Sequence, residues 1–372
     1  MTIRVAVIGG DGIGPGVTEQ ACRVLEAVRG AGLADLEMTR FPHGADHYLA
    51  TGETMSDETF ARLRDDFDCI LFGSVGDPRV PKGEHARDLL LGLRTRLDLY
   101  VNWRPVRLRA ADLSPLKDAR AADLHMEILR ENTEGLYSGA GRVEGAGTPR
   151  EVAYSTGVAT RHAVERITRF AFQWAEREER PMAVADKANA VPHMWGLWRR
   201  VFGELQPDFP GVASEAMHID ALVMEMVRSP ARFGIVLASN LLGDIISDLG
   251  TGLVGGPGVA PSANFRPEGG AAGAGGPRCS ALYEPVHGTA PDIAGQGKAN
   301  PMAAVLSGAL LLRRHGFGGA AQVVETSVEE ALAGGVRTPD LGGSSTTQET
   351  GDWLCRRISN HTATHIATRG AS

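Results

Sequence analysis

The sequence predicts an α/β protein with substantial parallel strand pairing. Three observations carry that prediction. Short apolar, β-branched runs recur from one end of the chain to the other. Longer stretches between them place apolar residues at helical spacing. The first run, residues 3–8 (IRVAVI), passes through a glycine-rich turn directly into such a stretch.

The elements follow in order. Residues 3–8 read as a buried strand and residues 9–16 (GGDGIGPG) as a loop. Val17, Ala21, Val24, Leu25 and Val28 then repeat with the period of one helix face. Residues 69–73 (CILFG) make another buried strand, and Leu124, Met126 and Ile128 alternate as strand residues do. Residues 138–150, rich in glycine, read as a loop. Ala163, Ile167, Phe170, Ala171 and Trp174 mark an amphipathic helix. Residues 182–185 form a short apolar strand, and residues 233–239 a further one, followed by a helix from about Leu241. Residues 267–278 (PEGGAAGAGGPR) are the most biased stretch and read as a flexible surface insertion. Residues 301–314 make a helix punctuated by Pro301 at its start and Gly316 after its end.

A length of 372 residues gives one large or two modest domains. The net charge of −7 excludes the basic footprint of a nucleic-acid binder. An acidic chain that handles acidic ligands must gather positive charge locally, so clustered arginines matter. The four cysteines, Cys22, Cys69, Cys279 and Cys355, form no CxxC pair and read as buried thiols of a reducing compartment. No charged-then-apolar leader opens the chain, and no run approaches the roughly 18–20 apolar residues of a membrane span. The expectation is a cytoplasmic protein with no membrane contact.

Five features bear on chemistry. The first, the N-terminal glycine loop, fails the G-x-G-x-x-G dinucleotide pattern. Counted from Gly10 the last position is Pro15, and from Gly12 it is Val17. Its glycines then serve a tight turn. Second, Arg94, Arg104 and Arg130 each lie close to a segment end. Guanidinium groups grip carboxylates through two parallel hydrogen bonds, so three of them suit a dicarboxylate; the alternative is ordinary surface charge. Third, Asp244 and Asp248 sit four apart on one helix face between apolar neighbours. Paired carboxylates repel unless protonated or bridged by a cation, and oxygen ligands suit Mg²⁺ or Mn²⁺. The alternative is two acids favoured by the helix dipole. Asp220 is a candidate third ligand. Fourth, Lys187 follows a short strand, where nearby positive charge would tune it for acid–base work; the alternative is a solvated lysine. Fifth, residues 284–292 (EPVHGTAPD) form a Gly- and Pro-rich turn carrying Glu284, His287, Gly288 and Asp292. Asp292 can accept from a ribose 2′-hydroxyl and would repel a 2′-phosphate; the alternative is a structural turn.

Taken together these segments resemble the β-decarboxylating dehydrogenases: the 3-isopropylmalate, isocitrate, homoisocitrate and tartrate enzymes. The resemblance runs in order through GGDGIGPG, LRTRLDLYVNWRP, LRENTEGLY, DKAN, HIDAL, SNLLGDIISDLG, LYEPVHGTAPDIAGQGKANP and PDLGG, nearly the whole chain. It implies an isopropylmalate dehydrogenase-like fold, not a Rossmann fold, with two α/β domains around a cleft. Residues 1–100 plus 253–372 would form the large cofactor-binding domain. Residues 101–252 would form a small domain with the dimer interface and metal site.

The resemblance also assigns residues. Arg94, Arg104 and Arg130 match the positions that hold the malate carboxylates. Tyr137 matches the catalytic tyrosine. Lys187 matches the catalytic lysine, arriving from the partner of a homodimer with shared active sites. Asp244 and Asp248 match metal ligands of one subunit, and Asp220 the ligand of the other. Asn189 matches a residue near the nicotinamide, and Glu284, His287, Gly288, Asp292 and Asn300 match cofactor positions. NADP-using relatives carry Lys then Tyr where this chain has Asp292 then Ile293, which favours NAD.

The implied reaction is a metal-assisted, NAD-dependent oxidative decarboxylation of a 3-substituted malate. Leu90 and Leu91 match an apolar pocket for an alkyl group, as in the 3-isopropylmalate enzymes. Arg87 instead admits an extra anionic group, as in isocitrate-like or phosphonate-bearing substrates, and RENTEGLY and VNWRPVRL lean toward the tartrate and isocitrate branches. A non-catalytic regulatory subunit is the alternative from another class. Such subunits lose a catalytic Tyr, Lys or metal Asp, and this chain keeps all of them.

Overall fold

A computed structural model describes residues 2–117, 119–120, 123–268 and 277–369. Its twelve strands among these residues are β1 (Ile3–Gly10), β2 (Leu36–Phe41), β3 (Cys69–Ser74), β4 (Val101–Arg107), β5 (His125–Glu131), β6 (Gly141–Glu144), β7 (Val152–Ser155), β8 (Met182–Asp186), β9 (Ser214–His218), β10 (Ile235–Ala238), β11 (Pro261–Phe265) and β12 (Ala281–Pro285). Ten of them form one sheet in the order β2-β1-β3-β12-β11-β4-β5-β10-β8-β9. β11 runs antiparallel to both β12 and β4, and β4 antiparallel to β5. The other pairs are parallel. The strand order follows chain segments. β2, β1, β3, β12 and β11 come from residues before 100 and after 260, and the other five lie between 101 and 238. The seam between the two sets is the β11–β4 pair.

Strand β1 shows why the sheet forms. Its side chains alternate between two cores. Val5 and Val7 join the large core beneath the helix Gly14–Gly30, whereas Ala6 and Ile8 join a smaller core with Phe60, Leu63, Ile70, Phe72, Leu89 and Leu93. The glycine loop that follows is a turn, as its composition predicts. Gly10 and Gly12 have φ of +71° and +59°. A Cβ on Gly12 would lie 2.1 Å from the Thr289 carbonyl oxygen. Ile13 N–H donates to that same carbonyl. The loop therefore docks the 284–292 turn by close backbone approach.

The predicted strands and helices appear with boundaries moved by a residue or two. Residues 138–150 are a correction. Strands β6 and β7 pair as an exposed antiparallel hairpin there, with Gly145 and Gly147 in positive φ at its turn. Gly141 lets the two backbones meet, since a Cβ would lie 2.3 Å from the Tyr154 carbonyl oxygen. The glycines that look like loop are what permit the hairpin. Most of the 267–278 insertion, residues 269–276, lies outside the described residues. Cys22, Cys69 and Cys279 are buried and free, and Cys355 is partly buried and free. Burial pushes the Cys22 thiol up to about 11 and that of Cys279 up to about 12. Among the described residues no helix is long and apolar enough to cross a membrane.

Candidate active site

A cleft of about 350 Å³ opens at the carboxyl ends of β3, β5 and β12, beside the seam. That is where ligands bind in open α/β sheets. Arg94, Arg104, Arg130, Tyr137, Asp244, Leu90, Leu91, Glu284, His287 and Gly288 all line it. Six chain segments deliver these ten residues, all picked out beforehand from sequence.

The leucines and Arg94 come from one helical run, α over Glu84–Ala86, π over Arg87–Leu91 and α over Gly92–Arg96. Leu89 and Leu93 are buried in the smaller core, so their neighbours Leu90, Leu91 and Arg94 face the cleft. The run is stapled to the glycine loop. His85 Nε2 meets buried Asp11 Oδ2 at 2.8 Å, and the same carboxylate accepts from the N–H groups of Gly76 and Ala45. Arg87 points away from this arrangement. Its side chain is 67% exposed, pairs with Asp88 at 3.3 Å, and does not line the cleft.

Arg104 sits mid-strand in β4, not near a segment end as its sequence context indicates. The antiparallel β4 runs through the seam, so an interior position of that strand reaches the cleft. Arg104 donates to Ser247 Oγ at 2.7 Å and lies 3.2 Å from Asp244. Arg130, at the end of β5, donates to Asn240 Oδ1 through Nε and Nη2 and pairs with Asp244. Burial lowers both arginines, Arg130 to about 9, and Arg94 adds to the repulsion. Guanidinium groups stay protonated in proteins, so burial and mutual repulsion of these arginines favour an anion beside them. Only part of that demand is met by Asp244.

Asp244 and Asp248 lie on the helix Asn240–Leu253. Tyr137 donates to Asp244 Oδ2 at 2.8 Å. Burial opposes the charge on Asp244, but Arg130 and Arg104 outweigh it and hold the carboxyl below its usual range. Asp248 moves the other way: burial raises it, Arg104 offsets part of that rise, and repulsion from Asp244 adds to it. Burial and the bond to Asp244 also raise Tyr137, so its hydroxyl keeps its proton at neutral pH. This donor set fits a divalent cation as half a site. The oxygens are all carboxylate, and Asp248 gains from a cation beside it. Among the described residues no group of three metal-binding side chains gathers in one chain.

Lys187 and Asp220 are elsewhere. They pair with each other at 2.5 Å, half-exposed and exposed respectively, and neither lines the cleft. Lys187 and exposed Asn189 follow β8, and Asp220 opens the helix Ile219–Arg228. At the other rim, His287 Nδ1 meets the Gly288 carbonyl at 3.0 Å while buried Nε2 has no partner. That orphan atom fits a bound ligand better than an empty turn. Asp292 is exposed and Ile293 half-buried. Asn300 is used by the fold. Its side chain accepts from Met302 N–H and donates to Asp340 of the PDLGG segment.

Sequence reasoning missed three supports of the arginines. Asn240 and Ser247 share the helix of Asp244, and spacing from that residue would have found them. Asn264, which donates to Glu284 Oε1 at 2.8 Å, is buried in β11 and carried no signal.

The geometry can be set beside known proteins. A family described as isocitrate/isopropylmalate dehydrogenase matches residues 4–354. The chain belongs to that family. The 3-isopropylmalate dehydrogenase of Thermobifida fusca is 42% identical over 358 residues, 96% of this chain and 98% of that protein. That of Corynebacterium aurimucosum is 43% identical over 358 residues, 96% of this chain and all of the other. Isocitrate dehydrogenase from Methylococcus capsulatus is similar in structure, with a TM-score of 0.85 at 32% identity, over 96% of this chain and 99% of that one. A beta-decarboxylating dehydrogenase from Thermococcus kodakarensis gives 0.75 at 35% identity, over 96% of each chain. As a member of the isocitrate/isopropylmalate dehydrogenase family, the chain is a decarboxylating dehydrogenase, an oxidoreductase acting on a small molecule.

Proposed function

We propose that the chain oxidises and decarboxylates a 3-substituted malate of the 3-isopropylmalate type, with NAD as electron acceptor and Mg²⁺ or Mn²⁺ bound. One observation carries the reading: three arginines, Tyr137 and Asp244 share a cleft whose remaining wall includes Leu90 and Leu91. Arginines for two carboxylates beside leucines for an alkyl group describe that substrate. The exposed, Asp88-paired Arg87 weighs against a third anion and so against isocitrate-like and phosphonate substrates. The names of the curated relatives point the same way.

Arg94, Arg104 and Arg130 bind and orient the two carboxylates. Asp244 and Asp248 would hold the cation, with Asp220 of a second subunit completing the set. When bound, the dinucleotide would supply the hydride acceptor and the cation Lewis-acid polarisation of the ketone formed. Lys187 of the second subunit takes the hydroxyl proton. Tyr137, protonated at neutral pH, returns a proton to the substrate carbon after CO₂ leaves. Exposed Asp292 favours NAD by accepting from the ribose and repelling a 2′-phosphate.

A homodimer follows from the same reasoning. Lys187 and Asp220 are apart from the cleft, and the metal site is half built in one chain. Exposed Ile245 lies next to Asp244, and exposed Met224 and Val227 stand on the adjoining helix. The β6–β7 hairpin adds exposed Val143, Val152 and Tyr154. These faces suit a second copy. The sheet order supports the division into 1–100 plus 253–372 and 101–252. The test is to follow NADH and CO₂ from 3-isopropylmalate with Mg²⁺. The two should appear in equal amounts and stop on chelation. NADH without CO₂, or turnover insensitive to chelator, would overturn the proposal.

A further inference from the structure

Behind the cleft, across the seam of the sheet, runs a chain of buried amides. Asn102 on β4 stands directly opposite Asn264 on β11. Both are fully buried. Asn102 Nδ2 donates to Asn264 Oδ1 at 2.8 Å and to Ser262 Oγ at 2.9 Å. Asn132 Nδ2 donates to the same Asn264 Oδ1 at 2.9 Å. With its acceptor filled from one side of the seam, Asn264 can present only its Nδ2 to the other. That nitrogen donates to Glu284 Oε1 at 2.8 Å and weakly to the Leu282 carbonyl. Glu284 Oε1 accepts in turn from Arg94 Nη2 at 2.5 Å. The chain therefore ends on an arginine of the cleft.

We infer that Asn264 is a positioning residue, which sets Glu284 and through it the guanidinium of Arg94. Two features favour this over a purely structural role. The network is incomplete: Asn102 Oδ1 and Asn132 Oδ1 are buried without partners. Apolar residues would fill these positions without that penalty, so stability alone does not explain the amides. Arg94 is also held lightly. Its Nε has no partner, and among the described residues its side chain makes one hydrogen bond, to Glu284. Rotation of Glu284 would let Arg94 swing. Asn102 and Arg104 lie two apart on the same face of β4, so the amide chain also sets the spacing between Arg94 and Arg104 across the seam. Two carboxylates of fixed separation need that spacing fixed.

The inference rests on the proposed diacid reading, and the experiment separates the two. Wild type, Asn264→Asp, Arg94→Lys and the double variant are assayed with 3-isopropylmalate, NAD and Mg²⁺. Asn264→Asp keeps the size and the acceptor of the amide but sets a second carboxyl against Glu284, which repels it or shares one proton with it, so the amide no longer fixes Glu284. It should raise KM for the diacid about tenfold, the loss expected for one hydrogen bond to a charged group, with kcat changed less than about threefold. In the Arg94→Lys background the same change should add no more than about twofold, because the group it positions is already lost. An unchanged diacid KM, or a full tenfold effect in both backgrounds, overturns the inference. If Asn264→Asp does not fold, Asn264→Ser takes its place, and because its shorter side chain cannot bridge Asn102 and Glu284 together it should raise KM in the same direction. If wild type turns over no diacid, the functional reading has failed. Urea melts of the same four proteins then decide the positioning alone: coupled stabilities support it, and additive ones overturn it.

Discussion

Arg130 condenses the problem this site solves. It is buried, shares the cleft with Arg94 and Arg104, and finds one carboxylate, Asp244, to offset it. Three guanidinium groups in this cleft share two close carboxylates, Asp244 and Glu284, so on the proposed reading affinity for a dianion comes from repulsion relieved as well as from hydrogen bonds made. On the proposed reading, exposed Asp292 carries the choice of dinucleotide. Asp292→Lys should lower the NAD-to-NADP ratio of kcat/KM about tenfold or more, as expected for exchanging repulsion of a phosphate for attraction. Steady-state kinetics with both dinucleotides measure it. A different residue sets acid sensitivity. Burial pushes His315 down to about 4 from an ordinary 6.5, and its Nε2 is buried without a partner. The folded state prefers the neutral ring, so its contribution is complete above pH 6.5 and is lost as pH falls toward 4, up to on the order of 3 kcal/mol. His315→Phe should flatten that limb of the stability curve in urea melts between pH 4 and 6.5. At this scale the arginines and acids of the cleft were legible because their residue types are chemically unusual at such positions. Asn264 was not, because a buried asparagine in a strand leaves no periodic or compositional trace.

The helix Asn240–Leu253 does the most positioning of any element. It carries Asn240, Asp244, Ser247 and Asp248 on the side facing the arginines, and Gly243 and Gly250 let it approach the sheet. A Cβ on Gly243 would lie 2.7 Å from both Cβ and Cγ of Arg130, and one on Gly250 would lie 2.6 Å from Val106. Gly243→Ala should therefore cost about 1–3 kcal/mol of stability by overpacking. It should also raise KM for the diacid, because Arg130 must move. Urea melts and kinetics on one preparation test both. Helices and buried strands were legible from their periods, since each has one face against a core. The β6–β7 hairpin was not. Its side chains are exposed on both faces, so no alternation marks it, and its glycines resemble those of a loop. The π turn at Arg87–Leu91 likewise has no signature in a run of leucines.

At the scale of the molecule, the sheet joins the two sets of strands, among the described residues, only through the antiparallel β11–β4 pair, and the cleft opens at that seam. Motif order along the chain made the family legible, but not the seam, which depends on contacts between residues about 160 apart. The proposed site takes residues from two chains. Lys187→Ala and Asp244→Asn should each be nearly inactive. Mixed and refolded together, they should recover roughly a quarter of wild-type activity, because half the dimers are hybrids with one intact shared site. Sites confined to single chains would give no recovery. Substrate identity is read from kcat/KM for NADH formation with Mg²⁺ across 3-isopropylmalate, D-malate, tartrate, isocitrate, homoisocitrate and a phosphonomethyl malate. With Leu90 and Leu91 on the wall and Arg87 outside, 3-isopropylmalate should lead. A preference for a substrate with a third anion would contradict the account and place Arg87 in the working site.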